Sequence, residues 1–293
     1  MNGRTYGMMR LMPALLLAGI LLAGCGSVTP RAVQSNERWE RGREFDHLLI
    51  IVLENQNYDK VIASPYMKAL ADRGTLFSNF NGLFHPSYSN YLAMIAGDGF
   101  DTHLDIQKDL DAPTIADLLE PKGLTWKQYA EGYPGNCFTG TSAGRYRRKH
   151  VPFLSFTNIQ RNPARCANVT GADKFDTHSL PNYAFYSPDM DDDGHDTGLD
   201  SAVTWLQKFL DPILADPVAM KNTLIEVTFD ESETYSHNHI YTVLLGDMVK
   251  KGYVESAPYD HYNVLRTVED NFGIGTLGKA DSTSSPITSI WAR

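Results

Sequence analysis

The sequence predicts an α/β fold with a mostly parallel central sheet sandwiched by helices, and three observations carry that expectation. His47 to Leu53 is a near-continuous apolar run rich in β-branched residues, the pattern of a strand covered on both faces. Strand-like segments then alternate with segments of helical periodicity, which favours parallel pairing through crossovers. The 293 residues, 42% hydrophobic and 21% charged, suffice for a sizeable core. A formal charge of -9, from 26 Lys and Arg against 35 Asp and Glu, excludes a broad nucleic-acid-binding surface.

The N-terminal segment has a different character. Arg4 to Arg10 is basic, Leu11 to Leu22 is apolar, and Leu22-Ala23-Gly24-Cys25 follows directly. This is similar to a bacterial lipoprotein signal, with Cys25 as the lipidated residue. Residues 1–24 are then a signal peptide, 25–44 a tether and 45–293 a single domain, exported and lipid-anchored to the cell envelope. An uncleaved anchor with an incidental cysteine is the alternative. In an oxidising compartment Cys137 and Cys166 read as a disulfide; a thiolate role lacks any CxxC-type helper.

After the first strand, Met67 to Arg73 reads as a short helix and Thr75 to Phe80 as a strand. Ser87 to Ala96 is helical, with Gly97 at its exit. A long insertion, around 133–181, carries the cysteine pair. The longest amphipathic helix places Ala202, Leu206, Leu210 and Ile213 on one stripe. Two strands, Thr223 to Phe229 and Ile240 to Leu245, and a helix from Tyr262 to Phe272 complete the pattern.

Ligands of open α/β sheets bind beyond the carboxyl ends of strands, so the polar residues found there are candidates. Glu54 and Asn55 follow the first strand, Asp230 and Glu231 follow Phe229, and His85-Pro86-Ser87 opens a helix. Carboxylates converging from separate strands repel unless a cation lies between them, and oxygen ligands favour Ca2+, Mg2+ or Mn2+. Ser87 at a helix start reads either as an N-cap or as a hydroxyl poised at an anion site. Asp193 and His195 read as ligands of a second cation. Alternatively, Asp189, Asp191, Asp193, Gly194 and Asp200 fall at the positions of an EF-hand-type calcium loop, though two prolines disturb its entering segment. His261 is a loop or ligand histidine. Lys149 and His150 end the one concentrated basic run, which is either a solvated face or an anion-recognition element.

Taken together, Leu53-Glu54-Asn55, His85-Pro86-Ser87-Tyr88-Ser89-Asn90, Tyr146 to Phe153, Asp193-Gly194-His195-Asp196, Phe229-Asp230-Glu231 and His261 to Phe272 occur in one order. The set resembles the phosphoesterase family of bacterial and fungal acid phosphatases and phospholipases C, within the alkaline phosphatase superfamily. The resemblance implies an alkaline-phosphatase-like fold and a metal-dependent phosphomonoesterase of the acid phosphatase type. It implies Ser87 as nucleophile and Asn90 as a phosphoryl ligand. Glu54, Asn55, Asp230 and Glu231 would hold a divalent ion (Ca2+, Mg2+, Mn2+ or Zn2+), and Asp193, His195 and His261 would stand on the leaving-group side. Ser89 departs from the family's usual Pro and is a rival hydroxyl. The implied partner is a phosphate monoester, with a phospholipid or phosphoinositide among the options. A phospholipase C-type phosphodiesterase and a non-enzymatic, calcium-stabilised surface lipoprotein are the competing readings.

Overall fold

The computed structural model describes residues 43–102, 104–235 and 237–292. Cys25, the expected signal peptide and nearly all of the tether lie outside these residues. Among the described residues no helix is long and apolar enough to cross a membrane.

The apolar run forms β1 (His47–Leu53), and parallel neighbours on both sides explain why every residue from Leu48 onward is buried. The other strands are β2 (Thr75–Asn81), β3 (Trp126–Ala130), the hairpin of β4 (Ser142–Ala143) and β5 (Tyr146–Arg147), β6 (Val169–Gly171), β7 (Tyr183–Ser187), β8 (Thr223–Phe229), β9 (His239–Leu245), β10 (Tyr253–Glu255) and β11 (Tyr259–Asp260). The sheet runs β10-β2-β9-β8-β1-β7-β3-β6, with β11 beside β2. Within it, β9 is antiparallel to β2 and β8, and all other pairings are parallel. The carboxyl ends of β1, β7, β8 and β3 therefore share one edge, with Leu53 level with Phe229.

Five helices frame the site: α1 (Tyr58–Ile62), α2 (Pro65–Arg73), α3 (Tyr88–Ala96), α4 (Leu199–Ala215) and α5 (His261–Phe272). Helix α3 packs on α5, and α2 on α4. Asp260 starts α5 with a capping box, its carboxylate accepting from Tyr262 and Asn263 N–H while the Asn263 side chain returns a bond to the Asp260 N–H.

Two strands beside β1 and its neighbour escape the sequence pattern. Pro181 and Pro188 bracket β7 and do not interrupt it, and Lys127 and Gln128 break the apolar run of β3. Gln128 is nevertheless fully buried, because its amide donates to the His150 carbonyl and the Ser187 hydroxyl. The insertion is also less detached than expected: its β6 forms the edge of the main sheet against β3. Cys137 and Cys166 are bonded within it, with Cα atoms 5.7 Å apart.

Candidate active site

Ser87 begins the approach to α3, and its own dihedrals are already helical (φ -43, ψ -48). Its hydroxyl makes no cap. Instead Ser87 Oγ lies 3.0 Å from Glu54 Oε2, 3.1 Å from Glu231 Oε1 and 3.4 Å from Asn55 Oδ1, at a point that is almost fully buried. Three segments of chain meet there. Glu54 follows β1, and Asn55 takes a left-handed conformation (φ 49), which Asn tolerates, turning its amide back over the strand end. Asp230 and Glu231 follow β8, and Asp230 Oδ1 accepts the Asn55 N–H at 3.2 Å. The 82–87 segment then crosses close to β8: a Cβ on Gly82 would lie 2.8 Å from the Asp230 carbonyl oxygen, so only glycine permits this approach.

The polar balance of this cluster is unusual. Glu54 and Asp230 are fully buried and Glu231 nearly so, yet Asp230 Oδ2 has no hydrogen-bond partner. Burial, together with the neighbouring Glu54 and Glu231 charges, drives the Asp230 carboxyl well above its ordinary range. Burial and Glu54 push Glu231 up to about 8. The Asn55 amide oxygen faces the carboxylate oxygens; rotated half a turn, the amide nitrogen donates to Asp230 (3.1 Å) and Glu231 (3.2 Å). An oxygen-rich set short of donors is the chemistry of a hard divalent cation, and a cation would take the amide oxygen in the first orientation.

A second group adjoins it through the other oxygen of Glu54. Tyr91 donates to Glu54 Oε1 at 2.5 Å and stacks on the His150 ring. His150 is buried between Glu54 (3.2 Å) and Asp193 (3.4 Å), so the three side chains form a further set able to hold a metal ion. Burial lowers the His150 pKa to about 4 and raises that of Asp193 to about 7. His150, expected either on a solvated face or in anion recognition, thus faces the carboxylates. Lys149 does serve as a cation near the cluster: burial opposes its charge, but Glu54 and Asp105 raise its pKa, and its Nζ is 2.7 Å from Asp105.

Other expected residues are placed as follows. His195 lines an open cleft of about 350 Å³ with Asn55, His85 and Glu231, its Nδ1 held 2.8 Å from Asp196. His261 is not in that cleft; its Nε2 donates to the Asp230 carbonyl from behind (2.9 Å), among Phe80 and Glu226. Expected on the leaving-group side, it supports the Asp230 turn in this structure. The Asn90 amide, expected as a phosphoryl ligand, holds the loop before Ser87: Oδ1 accepts from Leu83 and Phe84 N–H, and Nδ2 donates to the Phe84 carbonyl. Ser89 Oγ pairs with Thr102 at 2.6 Å, apart from the carboxylates. The EF-hand alternative fails, since β7 stands where its entering helix would be and Asp200 is exposed in the first turn of α4.

Two contributors were not singled out from sequence, and a third, His85, was named only with the segment that opens the helix. His85 Nδ1 contacts Glu231 Oε2, Tyr91 orients Glu54, and Asp105 binds both Lys149 and the Tyr88 N–H. The position of His85 two residues before Ser87 was the available signal for the first. Tyr91 looked like part of an apolar helical stripe, and Asp105 sits in a stretch without pattern.

Comparison with known proteins bears on the family and the fold. The Phosphoesterase family model matches residues 60–275. A probable acid phosphatase of Kluyveromyces lactis is 38% identical over 261 residues, covering 83% of this chain and 62% of that protein. The phosphatidylinositol-3-phosphatase of Mycobacterium tuberculosis is 34% identical over 259 residues, covering 84% of this chain and 83% of that protein. The chain thus spans about three fifths of the length of its fungal relatives. A protein in the alkaline phosphatase superfamily from Vibrio parahaemolyticus shares the fold, with a TM-score of 0.59 at 12% identity over 83% of this chain and 71% of that one. With a family match over most of its length and an ordered set of strand-end residues gathered into one cluster, this chain belongs to the phosphoesterase family.

Proposed function

We propose that the protein is a metal-dependent phosphatase that releases phosphate from monoesters through a phosphoserine at Ser87. The observation that carries this reading is the placement of one buried hydroxyl 3.0 and 3.1 Å from two carboxylates, beside an Asp230 oxygen with no partner. Glu54, Asn55, Asp230 and Glu231 would hold a divalent ion, which when bound neutralises phosphoryl oxygens and lowers the pKa of a nearby hydroxyl. Ser87 Oγ attacks phosphorus in line and passes its proton to Glu231 or Glu54. The ester P–O bond breaks, and the departing alkoxide takes a proton from His195, whose ring Asp196 orients. Water gives a proton to His195 and attacks the phosphoserine, the Ser87 Oγ–P bond breaks, and the serine oxygen recovers its proton from the same carboxylate. His85 braces Glu231, and Lys149 adds positive charge for the phosphoryl group.

The relatives' names support a phosphate ester substrate, and one of them names a phosphoinositide. Export and a lipid anchor at Cys25 complete the proposal. Acid quenching during turnover of p-nitrophenyl phosphate, followed by peptide mapping, should find phosphate on Ser87. Phosphate on another residue would remove the nucleophile assignment, and equal turnover of bis(p-nitrophenyl) phosphate would favour a diesterase.

A further inference from the structure

We infer that the cluster at Ser87 is built for a small divalent cation of the size of Mg2+ or Mn2+ and against Ca2+, with Tyr91, His150 and His85 as positioning residues that leave each glutamate one oxygen for the ion; this deepens, and rests on, the metal-dependent phosphatase reading. The observation is a division of oxygens repeated three times. In Glu54, Oε2 lies 3.0 Å from Ser87 Oγ, while Oε1 accepts the Tyr91 hydroxyl at 2.5 Å and lies 3.2 Å from His150 Nε2. In Glu231, Oε1 lies 3.1 Å from Ser87 Oγ, while Oε2 abuts His85 Nδ1. In Asp230, Oδ2 is buried without a partner, while Oδ1 accepts the Asn55 N–H at 3.2 Å. Among the described residues, one oxygen of each carboxylate is thus engaged by the surrounding chain, and the other meets the Ser87 hydroxyl or no donor at all.

The packing around the cluster holds this division in place. Tyr91 is buried in α3 with its ring stacked on His150, and Asp193 lies 3.4 Å from His150 Nδ1 on the far side, which opposes any swing of either ring away from Glu54. His261 holds the Asp230 carbonyl from behind. Carboxylates supported in this way resist turning both oxygens to one ion. Glu54 Oε2, Glu231 Oε1 and Asp230 Oδ2, with Asn55 Oδ1 and Ser87 Oγ beside them, offer single oxygens from five side chains. Ca2+ takes about six to eight oxygens and commonly draws two from one carboxylate, whereas Mg2+ is satisfied by about six, each from a separate group or water. Carboxylate and carbonyl oxygens also suit Mn2+. The number of oxygens and their rigidity therefore fit the smaller ions.

The test measures binding, not turnover. Mn2+ is added to the full chain after chelation, its uptake is followed by loss of the free-ion electron paramagnetic resonance signal, and Ca2+ is the competitor. The parent should bind Mn2+ about tenfold or more tighter than Ca2+. Tyr91→Phe, which keeps the ring and removes the donor, should weaken Mn2+ binding about tenfold and bring the two affinities closer together. His85→Ala, at a partly exposed position, should do the same through Glu231 and carries the test should Tyr91→Phe not fold. Ca2+ displacing Mn2+ from the parent at equal concentration, or an unchanged affinity ratio in either folded variant, would overturn the inference with the phosphatase reading intact. A parent that binds no Mn2+ would overturn the inference and the metal-dependent reading together. Selective Mn2+ binding by a parent that hydrolyses no p-nitrophenyl phosphate would uphold the inference and remove the phosphatase reading.

Discussion

At the carboxyl edge of one sheet, Glu54, Asp230 and Glu231 follow β1 and β8, whereas Glu131, Asp189 and Asp192 follow β3 and β7. Both groups bring three carboxylates together, and burial raises pKa values in both: Glu131 is pushed to about 7 and Glu231 to about 8. Their hydrogen bonding differs. Glu131 accepts from the Tyr186 hydroxyl (2.9 Å), the Trp205 indole (3.1 Å) and the Asp189 N–H (3.0 Å), and Asp189 Oδ1 accepts from Asp191 and Asp192 N–H. That group closes its own turn with donors from the chain. The Ser87 group shares one hydroxyl between Glu54 and Glu231, receives the Tyr91 hydroxyl and the Asn55 N–H besides, and leaves Asp230 Oδ2 without a donor. A perturbed pKa alone does not separate the two groups; the donors that each receives do.

The comparison can be broken first at the nucleophile. Ser87→Ala should lower kcat for p-nitrophenyl phosphate by about a thousandfold or more, and Ser89→Ala by about tenfold or less, because Ser89 is engaged with Thr102. Substantial turnover in Ser87→Ala would dissolve the distinction. The carboxylates come next: Asp230→Asn should cost about a hundredfold in turnover, while Glu131→Gln should cost less than tenfold and instead lower Tm by removing a hub for three donors.

Smaller effects lie away from both groups. Replacing Cys137 and Cys166 together by Ser should lower unfolding stability by about 3 kcal/mol without changing kcat, as denaturant titration can show. Glu226, fully buried in β8 with one oxygen unpartnered, has its pKa raised by burial from 4.5 to about 8. The folded state therefore holds a proton that the unfolded state releases, so stability falls as pH rises from about 4.5 to about 8. Glu226→Gln should flatten that loss, raising stability by about 4 kcal/mol at pH 8 and by little at pH 4. A parallel shift in Tm at all pH values would contradict this account of Glu226.

Much of the fold was legible because β1, β8 and β9 are buried on both faces and write that burial as unbroken apolar runs. The strand-end rule then located Glu54, Asp230, Glu231 and Ser87. β3 was illegible because its central Gln128 is satisfied only by distant partners, His150 and Ser187, which no local pattern records. The same reason hid the contacts of His261 and Asn90, each of which spends its side chain on a backbone carbonyl or N–H that only the tertiary structure brings near. Resemblance to the family supplied the residues in order, but not the direction in which each side chain points.

The central claim, that the donor-poor group holds a cation and the donor-rich group does not, is tested most directly by elemental analysis of the purified full chain beside its Asp230→Asn and Glu131→Gln variants. Tightly bound divalent metal should be present in the parent, retained in Glu131→Gln and lost in Asp230→Asn, with activity following the metal. Full activity in metal-free parent protein, or metal lost from Glu131→Gln and kept in Asp230→Asn, would contradict it.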